Sequence, residues 1–206
     1  MSTRCPRPRL ATAAALTAMT LALAGCGGGD GDDSAATASS TPAPSSSAAP
    51  TSASPTPLSP EDQVVADATA MVVSYYAKLD QVNSDPNADL NSLRDVAAND
   101  ALTIQEQISR QTKTRGRVQI GNSRVVSSEV FSVDLSTDPA ATPPKYPTVV
   151  IDTCVDVRDV NVVDSSGQSV VLPTRLSQSA DRLSVVQFDF GWRVNAVEYQ
   201  GQSCDS

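Results

Sequence analysis

The sequence predicts an α+β domain over residues 59–206, with helices first and a curved antiparallel sheet after them. Three observations carry this. Apolar residues repeat at helical spacing from Val64 to Val82, and again in two shorter stretches before Gly116. Beyond Gly116 the repeat changes to period two, the alternation of half-buried strands. Upstream of Ser59 neither pattern is present, so residues 1–25 and 26–58 read as a leader and a disordered spacer.

The leader opens with Arg4, Arg7 and Arg9 and no acid, and Leu10–Leu23 follow without a charge. These are the n-region and h-region of an export signal. The run is too short for a hydrocarbon core of about 30 Å, which needs roughly 20 residues of helix. It ends in Leu23, Ala24, Gly25 and Cys26, which resembles the lipobox of bacterial lipoproteins. That resemblance implies cleavage before Cys26, a diacylglyceryl group on its sulfur and acylation, palmitate included, of the freed amine. One acyl chain holds a protein only marginally, at ~10⁴ M⁻¹, whereas two give a stable anchor. The expected location is the extracytoplasmic face of the cell membrane, with the membrane itself as partner through the lipid. Plain secretion, with Cys26 incidental, is the alternative.

Residues 26–58 are mostly Ser, Ala, Pro, Thr and Gly, with Leu58 the one large apolar side chain. Such a segment cannot bury enough surface to offset its chain entropy. As a coil it would span ~30 Å, the reach of a tether. Its Ser, Thr and Pro content also suits O-linked sugars.

In the folded domain, Ser59, Pro60, Glu61 and Asp62 form a helix start: a hydroxyl cap, Pro at the first helical position and acids in the first turn. Val64, Val65, Ala68, Met71, Val72, Tyr75, Leu79 and Val82 then mark one face of a long amphipathic helix. Pro86 breaks it, Leu90, Leu93, Val96 and Ala97 suggest a short second helix, and a third starts at Asn99 or Asp100 with Leu102, Ile104 and Ile108 as its apolar positions. Val118 and Ile120 precede a Gly121–Asn122 turn, and Val130–Leu135 form a strand with Phe131, Val133 and Leu135 on one side. The proline-rich stretch 136–148 is a loop. Val149, Ile151, Thr153, Val155 and Val157 line the buried side of the next strand. Hairpins are expected at Asp164–Gly167, between Val160–Val163 and Val170–Leu172, and at Gly191, between Leu183–Phe190 and Trp192–Tyr199.

This order of elements, with Tyr75 and Tyr76 on the long helix, the Gly116–Gly121 segment, the Asp152–Asp156 strand and a Trp192-containing strand before Cys204, resembles the cone-shaped nuclear transport factor 2-like fold found in small lipoproteins of high-GC Gram-positive bacteria. A cystatin-like α+β domain is the alternative. The resemblance implies a pocket between the long helix and the sheet, with Tyr75, Tyr76, Asp152 and Trp192 as its candidate lining. Some relatives use an Asp base and a Tyr donor there for isomerisation; Asp156 and Asp189 are further carboxylates of that type. No catalytic motif aligns residue by residue, and a core Tyr with solvated Asp residues is the plainer reading.

Composition narrows the chemistry further. The chain has 206 residues, 40% hydrophobic but only 4% aromatic, so its core must be aliphatic. It contains no His, which excludes Ser-His-Asp and Cys-His catalysis and His-ligated metals. Its net charge of −8 argues against nucleic acid. Asp156, Asp159 and Asp164 lack calcium-loop spacing, and Asp189–Phe190–Gly191 lacks every other part of a kinase site. No cofactor, metal or catalytic residue is expected. Arg110, Lys113, Arg115 and Arg117 read as a solvated helix end, with a docking patch for an anionic wall polymer or partner as the alternative. Cys154 and Cys204 are the cysteines left after export, and an oxidising compartment makes them a disulfide. The function expected is therefore a non-enzymatic, lipid-anchored binding or accessory protein of the envelope, its partner an envelope protein or a small apolar ligand. The alternative is a small-molecule-binding or isomerase-like cone.

Overall fold

The computed structural model describes residues 57–204. The leader, Cys26 and the spacer up to residue 56 lie outside the described residues, as do Asp205 and Ser206. The first helix, α1, spans Pro60–Ser84. Ser59 is extended, at φ −63° and ψ 158°, and its Oγ accepts the Asp62 amide at 3.1 Å, the N-cap its sequence calls for. The helix stops at Asp85, held extended by the proline that follows. A 3-10 turn at Leu90–Asp95 buries Leu93 completely. Helix α2, Asn99–Thr114, starts without a side-chain cap: Asn99 sits at φ 46° and the preceding Ala98 amide donates to the Val194 carbonyl at 2.9 Å. It ends in a Schellman turn, with the Gly116 and Arg117 amides bonded to the Lys113 and Thr112 carbonyls and Gly116 at φ 62°.

Six strands follow. β1, Val118–Ile120, pairs antiparallel with β4, Asn161–Val163. Four longer strands, β2 at Arg124–Asp134, β3 at Thr148–Asp156, β5 at Gln178–Phe188 and β6 at Gly191–Tyr199, form an antiparallel sheet in the order β2-β3-β5-β6. The domain is α+β, and the helices pack on the sheet face that carries Val149, Ile151, Leu183, Val185 and Val194. Ala68, Val72 and Tyr75 of α1 and Ala101 of α2 close the core from the other side. Each large aliphatic side chain buried there contributes roughly 1.5–3 kcal/mol. The order, helices first and strands after them, is the one the sequence predicts. None of the helices among the described residues is long and apolar enough to cross a membrane.

Cys154 and Cys204 are bonded, with their Cα atoms 5.8 Å apart. The tail reaches this position along β5, where Gln200 donates to the Ala180 carbonyl and Ala180 to that of Gln202. The bridge joins it to the middle of the sheet.

Three expectations are corrected. On α2 the buried residues are Ala101 and Ser109, while Ile104 and Ile108 stay 53% and 49% exposed. The helix meets β6 through small side chains, and close approach leaves the isoleucines on the rim. β2 begins at Arg124 rather than Val130, and Phe131 is 59% exposed. The register shifts between Val125 and Ser127 and between Val130 and Ser132, and such bulges break the simple alternation. Finally, Val170–Leu172 is not a strand. The turn at Asp164–Gly167 forms, and β4, paired with β1 along one edge, meets the downstream segment along the other through a single bridge from Val163 to Ser169, with the Val170 amide donating to the Val162 carbonyl at 2.8 Å.

Candidate functional site

Residues at helical spacing on α1, namely Val73, Tyr76, Ala77 and Asp80, face the start of β2 across a groove of about 470 Å³. Asn122, Arg124 and Val125 form its far wall. One end is set by Asp80, buried and fully engaged: it accepts from Gln119 Nε2 at 2.6 Å and from the amide and hydroxyl of Ser123, both at 2.9 Å. These bonds fasten the β1–β2 turn to the helix. That turn needs glycine at 121, where φ is 78° and a Cβ would lie 1.9 Å from the Asp159 carbonyl oxygen. Arg124, mostly exposed, pairs with Asp156 Oδ2 at 3.1 Å. Arg158 and then Arg124 hold the Asp156 carboxyl well below the usual carboxylate range.

From the groove wall Tyr76 reaches a polar cluster between the helix and the sheet. Its hydroxyl donates to Asp181 Oδ2 at 2.7 Å, and Ser179 Oγ donates to Asp181 Oδ1 at 2.9 Å. Asp181 faces Thr153 across the β3–β5 ladder, and Thr153 faces Ser128 across β2–β3. Ser128 Oγ and Thr153 Oγ1 are buried without a hydrogen-bond partner among the described residues. A polar row therefore crosses an otherwise aliphatic interface. Burial first, and the nearby Asp181 second, push the Tyr75 phenol up to about 12 and that of Tyr76 far above its ordinary value. Both phenols are protonated at neutral pH.

The structure places the predicted lining residues apart. Tyr75 and Tyr76 touch edge to face at 5.3 Å, but Tyr75 points into the core and lines a different, smaller depression of about 230 Å³ with Ile104, Ile108 and Tyr199. Trp192 is a core residue. Asp152 lies on the other face of the sheet, where Arg182 grips both its oxygens at 2.6 and 2.8 Å and stacks over Phe131. Asp189 is exposed in the β5–β6 turn. The carboxylate that does meet a phenol, Asp181, was missed. Extending the period-two pattern back from Leu183 and Val185 puts it on the inner face. Of the basic run, Lys113 donates to the Val82 and Asp85 carbonyls, tying down the end of α1.

No protein-family model and no curated protein matches the chain. Among solved structures it is similar to the intermembrane space region of the chloroplast protein ARC6, at 17% identity over 65% of this chain and 95% of that one, with a TM-score of 0.43. It is also similar to Aln2 from a Streptomyces species, at 15% identity over 70% of this chain and 94% of that one, TM-score 0.39. At these scores the likenesses carry no argument about chemistry. The fold class stands on the strand order and the core.

Proposed function

We propose that the chain is a lipid-anchored binding or accessory domain on the outer face of the cytoplasmic membrane. The observation that carries this reading is the pairing of Cys154 with Cys204 in a chain whose leader ends in a lipobox-like Leu23–Cys26. Disulfides persist in oxidising compartments, and the leader supplies the route to one. The binding role is supported by the α1–β2 groove, and a non-enzymatic one by the Tyr76–Asp181 bond behind its wall, in which phenol and carboxylate are spent on one another. The experiment is fractionation of the producing cells. Wild-type chain should sediment with membranes and shift in mass by its acyl groups, whereas Cys26→Ser should carry no acyl mass and leave the membrane fraction. Equal membrane retention of both forms would defeat the reading.

A second reading, a small-molecule or isomerase-like site, is favoured by one observation. The hydroxyls of Ser128 and Thr153, buried without hydrogen-bond partners among the described residues, lie in one row with the Tyr76–Asp181 pair and leave polar atoms for a ligand to satisfy.

A further inference from the structure

Three grooves on the domain differ in charge. The α1–β2 groove holds both Asp80 and Arg124, and a second, under the 143–146 loop, holds both Asp134 and Lys145, paired at 3.1 Å. The third, about 570 Å³, lies where the end of α2, β4 and the 170–176 loop meet Tyr199. It has two guanidiniums, Arg117 and Arg175, and among the described residues no Asp or Glu lines it. Its apolar walls come from Val162, Leu172, Leu176 and Tyr199. Leu172 is 72% exposed and Tyr199 is also largely exposed, so the apolar wall is open to a ligand. Arg175 is held in place, its Nη2 donating to the Val157 and Val160 carbonyls, both at 2.8 Å, with Nε and Nη1 left over. Arg117 makes no ion pair within 4.0 Å among the described residues; Asp164 feels its charge but does not line the groove.

We infer that this groove binds a single-chain aliphatic carboxylate, its hydrocarbon laid along Leu172, Leu176 and Tyr199 and its carboxylate met by Arg117 and Arg175. Ligand sites of this size are mostly apolar, with a few polar groups that fix orientation. A guanidinium suits a carboxylate because it can donate two parallel hydrogen bonds. The whole chain, at −8, repels anions, so a preference for one must come from this local charge. The inference is independent of the lipid anchor and of the Tyr76 groove.

Titration calorimetry on the full chain, below micelle-forming concentrations, tests it with dodecanoate, octanoate and dodecylammonium as probes. Dodecanoate should bind at one saturable site, octanoate more weakly, and dodecylammonium at least about tenfold more weakly. Arg117→Gln should weaken dodecanoate by about tenfold, the loss of one charge-assisted contact. Leu172→Asp, at an exposed position that leaves the fold intact, should abolish saturable binding. Absence of saturable dodecanoate binding, equal binding of the anion and the cation, or indifference to both substitutions overturns the inference.

Discussion

Two phenols one residue apart on α1 have opposite surroundings. Tyr75 packs among Val72, Ile151 and Leu183 in the core, while Tyr76 turns its hydroxyl to Asp181. Both resist ionisation, because burial disfavours the charged form and Asp181 adds like-charge repulsion. The consequence for stability has a definite sign. In the unfolded chain these phenols ionise near pH 10, and in the folded chain Tyr75 holds its proton to about pH 12. The contribution is therefore intact below pH 10 and is lost as the pH rises from there towards 12. Urea midpoints should be level from pH 8 to about 9.5 and then fall steadily, more steeply than in Tyr76→Phe. A flat profile to about pH 11 would contradict the assigned environment. Asp181 itself was legible only in hindsight. A carboxylate among inward-facing positions looks like a strand end, and its phenol partner is 105 residues away in sequence.

Elements with local punctuation were the legible ones. Ser59, Pro60 and the two acids mark where α1 starts, Pro86 marks where it stops, and both boundaries stand within a residue or two. The central strand β3 was equally plain because both faces of its alternation meet fixed environments, whereas β5 begins at Gln178, five residues before the expected Leu183, because the polar stretch Gln178–Arg182 hides its inward positions. What resisted reading was decided by partners distant in sequence. The bulges that turn Phe131 outward exist only in the register of β2 against β3, and β4 takes as its ladder partner β1, which lies far upstream in sequence. The same holds for α2, whose start has no side-chain cap and is fastened to β6 by the Ala98 amide on the Val194 carbonyl and by Asn99 Nδ2 on Asn195 Oδ1. At this scale Ser59→Ala should lower stability by about 1 kcal/mol, since it removes the acceptor for the Asp62 amide. Chemical denaturation monitored by helical circular dichroism would measure it, and an unchanged midpoint would mean that Pro60 and the acids suffice alone.

For the whole domain the Cys154–Cys204 bridge is the covalent cross-link among the described residues, spanning 50 residues of sequence. It connects β3, in the middle of the sheet, to the tail that lies along β5, so the loop it closes contains β4, β5 and β6. Constraining a loop of that length in the unfolded chain is worth roughly 4 kcal/mol in the entropic model, and measured values run about 2–4 kcal/mol. The Cys154→Ala/Cys204→Ala double variant should unfold that much more easily under identical non-reducing conditions. A difference below about 0.5 kcal/mol would show that the tail is held by its backbone bonds to Ala180 and not by the sulfurs.

The two ion-bearing positions at the centre of the sheet alternate in parity. Asp152 and Arg182 oppose one another on the open face, while Thr153 and Asp181, each one step along the ladder, oppose one another beneath the helices. A slip of β3 against β5 by a single residue would set Asp152 opposite Asp181, or Thr153 opposite Arg182, and would turn Ile151 or Leu183 out to water. Misaligned pairing is thus penalised twice, by charge and by greasy surface, and the ladder has one alignment in which both demands are met.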